Sequence, residues 1–112
     1  MRGKDTGRTS FTNGQVALHK MIEELHIAAD MEVEFGPFCV DIYISETHTA
    51  IEFDGSGHLR KRDRIRDQRL MEKFQLPVLR VKNLSPKSEI QGDIINFLAK
   101  WASSAKTRKA MY

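Results

Sequence analysis

The stretch Val40–Arg69 reads VDIYISETHTAIEFDGSGHLRKRDRIRDQR. Two short apolar runs carry acids, a glycine-flanked histidine follows, and a basic run broken by further acids closes the segment. In AIEFDG, residues 50–55, alternation puts Ala50, Glu52 and Asp54 on one face of a strand and Ile51 and Phe53 on the other. Glu52 and Asp54 therefore project together near the strand's end. Residues 39–44, CVDIYI, alternate in the same way, with Val40, Ile42 and Ile44 as the core face and Cys39, Asp41 and Tyr43 opposite. An antiparallel hairpin through SETH, residues 45–48, brings Asp41 onto the face of Glu52 and Asp54. Carboxylates packed so closely raise one another's pKa and oppose folding, so a positive group belongs among them. A hard divalent cation meets that need, because Mg2+ takes oxygen ligands, keeps several waters and is held by few carboxylates plus substrate phosphate.

Beyond the glycines, the run from Leu59 to Gln75 reads as a helix. Its inward stripe of Leu70, Met71 and Phe74 extends backwards at helical spacing onto Asp67, Arg66 and Asp63. A purely structural helix would carry apolar residues there, so the spacing aims two acids and an arginine at the sheet edge where Glu52 and Asp54 end. The alternative is that Asp63 and Asp67 favour the positive end of the helix and pair with neighbouring arginines. His58 stands where the glycine-flanked loop meets this helix. An imidazole there suits a general base for an attacking water, a proton donor to a leaving oxygen, or a metal ligand. His19, His26 and His48 read as surface side chains without such a role.

Working outward, Thr12 or Asn13 can cap a helix with the stripe Leu18, Met21, Ile22 and Leu25. Residues 31–35, MEVEF, alternate as a strand ended by Gly36-Pro37. PVLRV, residues 77–81, is a last strand, and Ile90, Ile94, Phe97, Leu98 and Trp101 fall in register on a last helix with Ser88 and Gln91 at capping-box spacing. The order αβββαβα and the absence of repeats predict an α/β fold with a mixed β-sheet flanked by helices. Residues 12–101 form one domain in this reading, with 1–11 as a disordered basic tail and 102–112 as a basic C-terminal tail.

The chain has 112 residues, enough for one core, and 40% of them are hydrophobic, as a folded globule requires. Its apolar stretches are too short to span a bilayer, and the first residues lack the apolar region of a signal peptide. Cys39 is the lone cysteine, which excludes an intrachain disulfide and a cysteine-based zinc cage and suits a cytoplasmic location. The net charge of +3 understates an asymmetry. Arg60, Lys61, Arg62, Arg64, Arg66 and Arg69 crowd one segment, basic residues also dominate from Lys100 onward, and the stretch from Phe11 to Gly57 is acidic with Lys20 its lone Lys or Arg. Basic ends around an acidic centre suit a polyanion held by its phosphates over a metal site. Each basic run taken alone is an ordinary solvated surface.

Taken in order and spacing, VDIYI, AIEFDGSGH, DRIRDQRL and PVLRV resemble the PD-(D/E)XK restriction-endonuclease-like superfamily. The similarity is to the branch of very-short-patch repair endonucleases, their relatives and the phage homing endonucleases with an EDxHD motif. It covers residues 12–100. The resemblance implies a restriction-endonuclease-like fold and an Mg2+-dependent (or Mn2+-dependent) endodeoxyribonuclease. By position, Asp41 matches the superfamily's first metal-binding aspartate, Glu52 matches the acid of the second motif, and Asp54 stands where a catalytic lysine is usual. Asp41, Glu52 and Asp54 would then hold metal, His58 would be the catalytic histidine, and Asp63, Arg66 and Asp67 match the helix positions, with Asp67 in the catalytic set. Relatives often place a glutamate early in the first helix. Gln15 stands there instead, with Glu23 or Glu24 one to two turns later as substitutes. Arg60, Lys61, Arg62, Arg64 and Arg66 would bind the DNA backbone, no membrane is involved, and cutting both strands would take a homodimer or two encounters. Two other classes compete: a non-catalytic RNA- or DNA-binding module on the same fold, and a structural protein whose acids all form salt bridges.

Overall fold

The structure is a computed structural model that describes residues 12–55 and 60–112; the expected N-terminal tail and His58 lie outside the described residues. Eight elements follow one another: α1 (Asn13–Glu23), β1 (Asp30–Phe35), β2 (Phe38–Ile44), β3 (Thr49–Phe53), α2 (Arg60–Phe74), β4 (Val78–Val81), α3 (Lys87–Ala102) and α4 (Ala105–Met111). The strands form one mixed sheet in the order β1-β2-β3-β4. β1, β2 and β3 are antiparallel neighbours, and α2 carries the chain over to β4, which runs parallel to β3. Among the described residues, no helix is long and apolar enough to cross a membrane.

Each element follows from its residues. Thr12 is the α1 N-cap, and its Oγ1 accepts the Gln15 N–H at 3.1 Å. Gly36, at φ 57°, takes the left-handed conformation that lets β1 turn straight into β2. Gly14 is required by packing instead, since a Cβ there would collide with the Phe53 ring. α1 and α3 cover one side of the sheet: Leu18, Met21 and Ile22 meet Ile42, Ile44 and Ile51, with Ile90, Ile94 and Leu98 completing the cluster. On the other side Leu70 and Phe74 of α2 close over Phe35, Val40 and Ala50. Burying one such aliphatic side chain contributes about 1.5–3 kcal/mol, so these two clusters hold the sheet between its helices.

Three expectations need correction. First, Val40 does not share a face with Ile42 and Ile44. It packs with the α2 cluster whereas they pack with α1 and α3, so strict alternation breaks next to Asp41. Second, α3 has Pro86 as its N-cap with no side-chain cap bond; Gln91 reaches across to the Met21 carbonyl at 3.0 Å and to Glu24. Third, residues 102–112 are not a free basic tail. Within them Ala105–Met111 fold as α4, which Arg108 anchors by donating to the carbonyls of Thr47, His48, Gln75 and Trp101 at 2.7–3.0 Å.

His48 differs from its expected surface role for the same reason. It is fully buried under this C-terminal segment and stacks on Tyr112. Its Nε2 donates to the Phe74 carbonyl, leaving Nδ1 to accept the Tyr43 hydroxyl, and burial lowers its pKa.

Candidate active site

β2 and β3 separate where their acids begin. The last regular pairs are Ile44 with Thr49, Tyr43 with Ala50 and Ile42 with Ile51. One step further, side chains replace the ladder: the Asp41 N–H donates to Glu52 Oε2 at 2.8 Å, and the Phe53 N–H donates to Asp41 Oδ2 at 2.9 Å. This reciprocal arrangement satisfies two backbone donors and fixes both carboxyl groups on the α2 side of the sheet. β3 meanwhile turns its pairing to β4, with Asp54 N–H bonded to the Val81 carbonyl.

The same level of the sheet is charged on every strand. Glu52 pairs laterally with Arg80 of β4. Met31 pairs with Ile42 and Val33 with Val40, so Glu32 of β1 faces Asp41. Glu32, Asp41, Glu52 and Arg80 thus form a row across all four strands.

α2 lays its charged stripe over this row, as the spacing of Asp63, Arg66 and Asp67 predicts. Arg66 donates to the Cys39 carbonyl at 2.6 Å and lies 3.4 Å from Glu52 Oε1 and 3.7 Å from Asp67. The guanidinium points inward and is occupied by protein groups. Arg80 makes a two-pronged contact with Asp67 at 2.8 Å and lies 3.7 Å from both Asp54 and Asp63. Asp54, Asp63 and Asp67 are thereby gathered around Arg80, while Asp41 and Glu52 stand beside Arg66.

The electrostatics separate the acids further. Burial raises the pKa of Asp41, and Glu32 adds to the rise against the opposing Phe53 N–H bond and the arginines. Burial likewise raises that of Glu52, reinforced by the charge of Asp41. Two partly buried carboxyl groups near each other favour positive charge beside them, and Arg66 and Arg80 supply part of it. Among the described residues, however, no three His, Cys, Asp or Glu side chains are grouped to hold a metal ion.

Beside the pair lies a cavity of about 220 Å³ lined by Asp54, Asp63, Arg64, Asp67, Arg80 and Lys82. Gly55, directly after Asp54, takes the left-handed conformation at φ 57°. Lys61, Arg62 and Arg64 are exposed along α2, and the side chain of Arg60 lies outside the described residues. The helix-1 substitutes do not reach the acids: Glu23 lies 3.7 Å from His19, and Glu24 lies 3.1 Å from Lys87. Gln15 does reach them, its Nε2 donating to Glu32 Oε2 at 2.7 Å. Sequence reasoning missed Glu32 and Arg80. Counting outward from a tight Gly36-Pro37 turn places residue 32 opposite 41, so the signal for Glu32 was present in the register.

No protein-family model matches the sequence, and no curated protein matches it. Among solved structures, the catalytic domain of the homing endonuclease I-Bth0305I superposes with a TM-score of 0.68 at 18% identity, over 80% of this chain and 97% of that one. The two chains share a fold. At that identity the likeness to the homing endonuclease domain concerns the fold alone, and the chemistry must be argued from the residues above.

Proposed function

We propose that the chain is a divalent-metal-dependent endonuclease that hydrolyses phosphodiester bonds in DNA. The observation that carries this reading is the reciprocal Asp41–Glu52 arrangement at the opening between β2 and β3. Structural acids are usually neutralised by full pairing, whereas burial and a neighbouring acid, Glu32 for Asp41 and Asp41 for Glu52, raise the pKa of both of these. The donor set fits a hard divalent ion. It is all oxygen, and Asp41 commits Oδ2 to the Phe53 N–H while Oδ1 remains.

Asp41 and Glu52 are the residues that would hold Mg2+ or Mn2+, while Asp54, expected from the sequence as a third ligand, lies 3.7 Å from Arg80. Such an ion supplies charge neutralisation at the scissile phosphate and a more acidic attacking water. Arg66 keeps Glu52 oriented, and Arg80 binds Asp67 so that the helix acids stay folded against the sheet. His58 is assigned proton transfer at the phosphate oxygens. Exposed Lys61, Arg62 and Arg64 bind the DNA backbone, positioning it without reading sequence.

The test uses supercoiled plasmid with the full chain, in Mg2+, in Mn2+ and in chelator. Metal-dependent conversion to nicked or linear DNA, lost in Glu52→Gln, is the expected result. DNA retained equally in chelator with no product in any metal would identify a non-catalytic binding module instead.

A further inference from the structure

His48 is a fully buried imidazole that the proposed chemistry does not use. It stands directly before β3 at φ 50°, with its N–H bonded to the Ser45 carbonyl. Three elements meet on it. Its carbonyl accepts from Arg108 of α4 at 2.7 Å, its Nε2 donates to the carbonyl of Phe74 at the end of α2 at 2.8 Å, and its Nδ1 accepts the hydroxyl of Tyr43 of β2 at 2.7 Å. Tyr112, just beyond α4, stacks on the ring with centroids 5.0 Å apart. One residue thus belongs to the sheet and forms the seat of the C-terminal segment.

The charges around that seat disfavour a cation. From α4, Arg108 and Lys109 both oppose a positive imidazole, and burial opposes it more strongly than either. The Phe74 carbonyl of α2 is the contrary influence, since it accepts from the ring. Asp30 of β1 pairs with Tyr43 and acts on that phenol, while Glu46 of the β2–β3 turn lines a cavity with Lys106 and Lys109. Little else holds α4 down. Its buried residues are Ala105 and Arg108, and Tyr112 adds ring contacts with Phe35 and Phe74. A short helix with so little buried apolar surface opens at a lower free energy than the sheet beneath it.

We infer that His48 is an acid-sensitive clasp: when its ring takes a proton from solvent, α4 and Tyr112 leave the sheet while the four strands stay folded. The proton goes to Nδ1, which holds the lone pair of the neutral ring, and the Tyr43 hydroxyl must then turn from donor to acceptor. Opening lets water reach the imidazolium and takes Arg108 and Lys109 away from it. Burial and those two cations hold the pKa of the closed ring below its ordinary value. Closure is therefore at full strength above the ordinary histidine pKa of about 6.5 and is lost as the pH falls through it. The clasp is independent of the nuclease reading, because it lies at the opposite ends of β2 and β3 from Asp41.

Amide hydrogen exchange of the full chain, followed by NMR across pH and corrected for intrinsic exchange rates, tests it. Uptake of one proton on opening predicts about tenfold more open α4 at about pH 5.5 than at about pH 7.5, and no such rise in His48→Gln. The amides of β2 and β3 are expected to stay better protected than those of α4 throughout. Wild-type α4 protection that is flat with pH overturns the clasp, and so does an equal rise in His48→Gln. Should His48→Gln fail to hold α4 at any pH, the wild-type imidazole signals decide. Protonation of His48 that tracks the opening of α4 supports the inference, and protonation while α4 keeps full protection overturns it.

Discussion

Asp41 combines a stabilising role with a destabilising one. Its Oδ2 closes the end of the β3 ladder, while its charge sits half-buried between those of Glu32 and Glu52. The sign of the pH effect follows from the raised pKa values of Asp41 and Glu52. On raising the pH the unfolded chain releases these protons first, so above the folded-state pKa each charge costs stability. As the pH falls through that raised range, the cost disappears. Asp41→Asn keeps an acceptor for the Phe53 N–H and removes the charge. In chelator it is therefore expected to raise Tm at neutral pH, with the gain shrinking toward acid pH. An unchanged or lower Tm at neutral pH would contradict this account of the acid pair. Opposite effects on stability and on metal-dependent activity are the usual mark of a functional residue.

At the scale of elements, α4 is the part whose sequence reads least like its structure. Lys106, Arg108 and Lys109 give it the composition of a solvated tail, yet Arg108 is 5% exposed and bonded to four main-chain carbonyls. A guanidinium surrounded by carbonyls leaves no periodic signal, because its partners come from the β2–β3 turn, the end of α2 and the end of α3. Arg108→Met strips buried carbonyls of their donor and is expected to cost about 3 kcal/mol in urea unfolding. DNA cleavage in native buffer should persist, since Arg108 meets the opposite ends of β2 and β3 from Asp41. Loss of cleavage in a variant that is still folded would show the two ends to be coupled.

The other elements were legible to differing degrees. β2 and β3 announced themselves by alternating residues, and that alternation brought Asp41 and Glu52 together correctly. It failed at Val40, which joins the α2 cluster whereas Ile42 and Ile44 join the other, a break in alternation that no residue type reports. Asp63, Arg66 and Asp67 were legible as an inward stripe because helical spacing is insensitive to what the stripe meets. Arg80 was not, since PVLRV reads as an ordinary buried strand until its parallel register with Glu52 is known.

Across the whole molecule, charge is sorted by position rather than by amount. The net charge is only +3, but Lys61, Arg62 and Arg64 are exposed on the helix that covers the acid row. A long polyanion on this face meets cations outside and acids within. Duplex DNA binding in chelator should therefore weaken steeply with salt. Replacing Lys61, Arg62 and Arg64 together by Ala should flatten the slope of log K against log salt by about 0.9 for each side chain that contacts phosphate. An unchanged slope would move the DNA to another face.

The central claim is that Asp41 and Glu52 form a metal-dependent phosphodiesterase centre. The measurement closest to it is the rate of plasmid cleavage by wild type and Asp41→Asn, side by side in Mg2+, with both proteins shown folded by circular dichroism. Wild type is expected to cleave and the variant to fall by at least about a hundredfold, the scale on which a principal electrostatic group acts. Equal rates in the two proteins, or cleavage by wild type that persists in chelator, would contradict the claim.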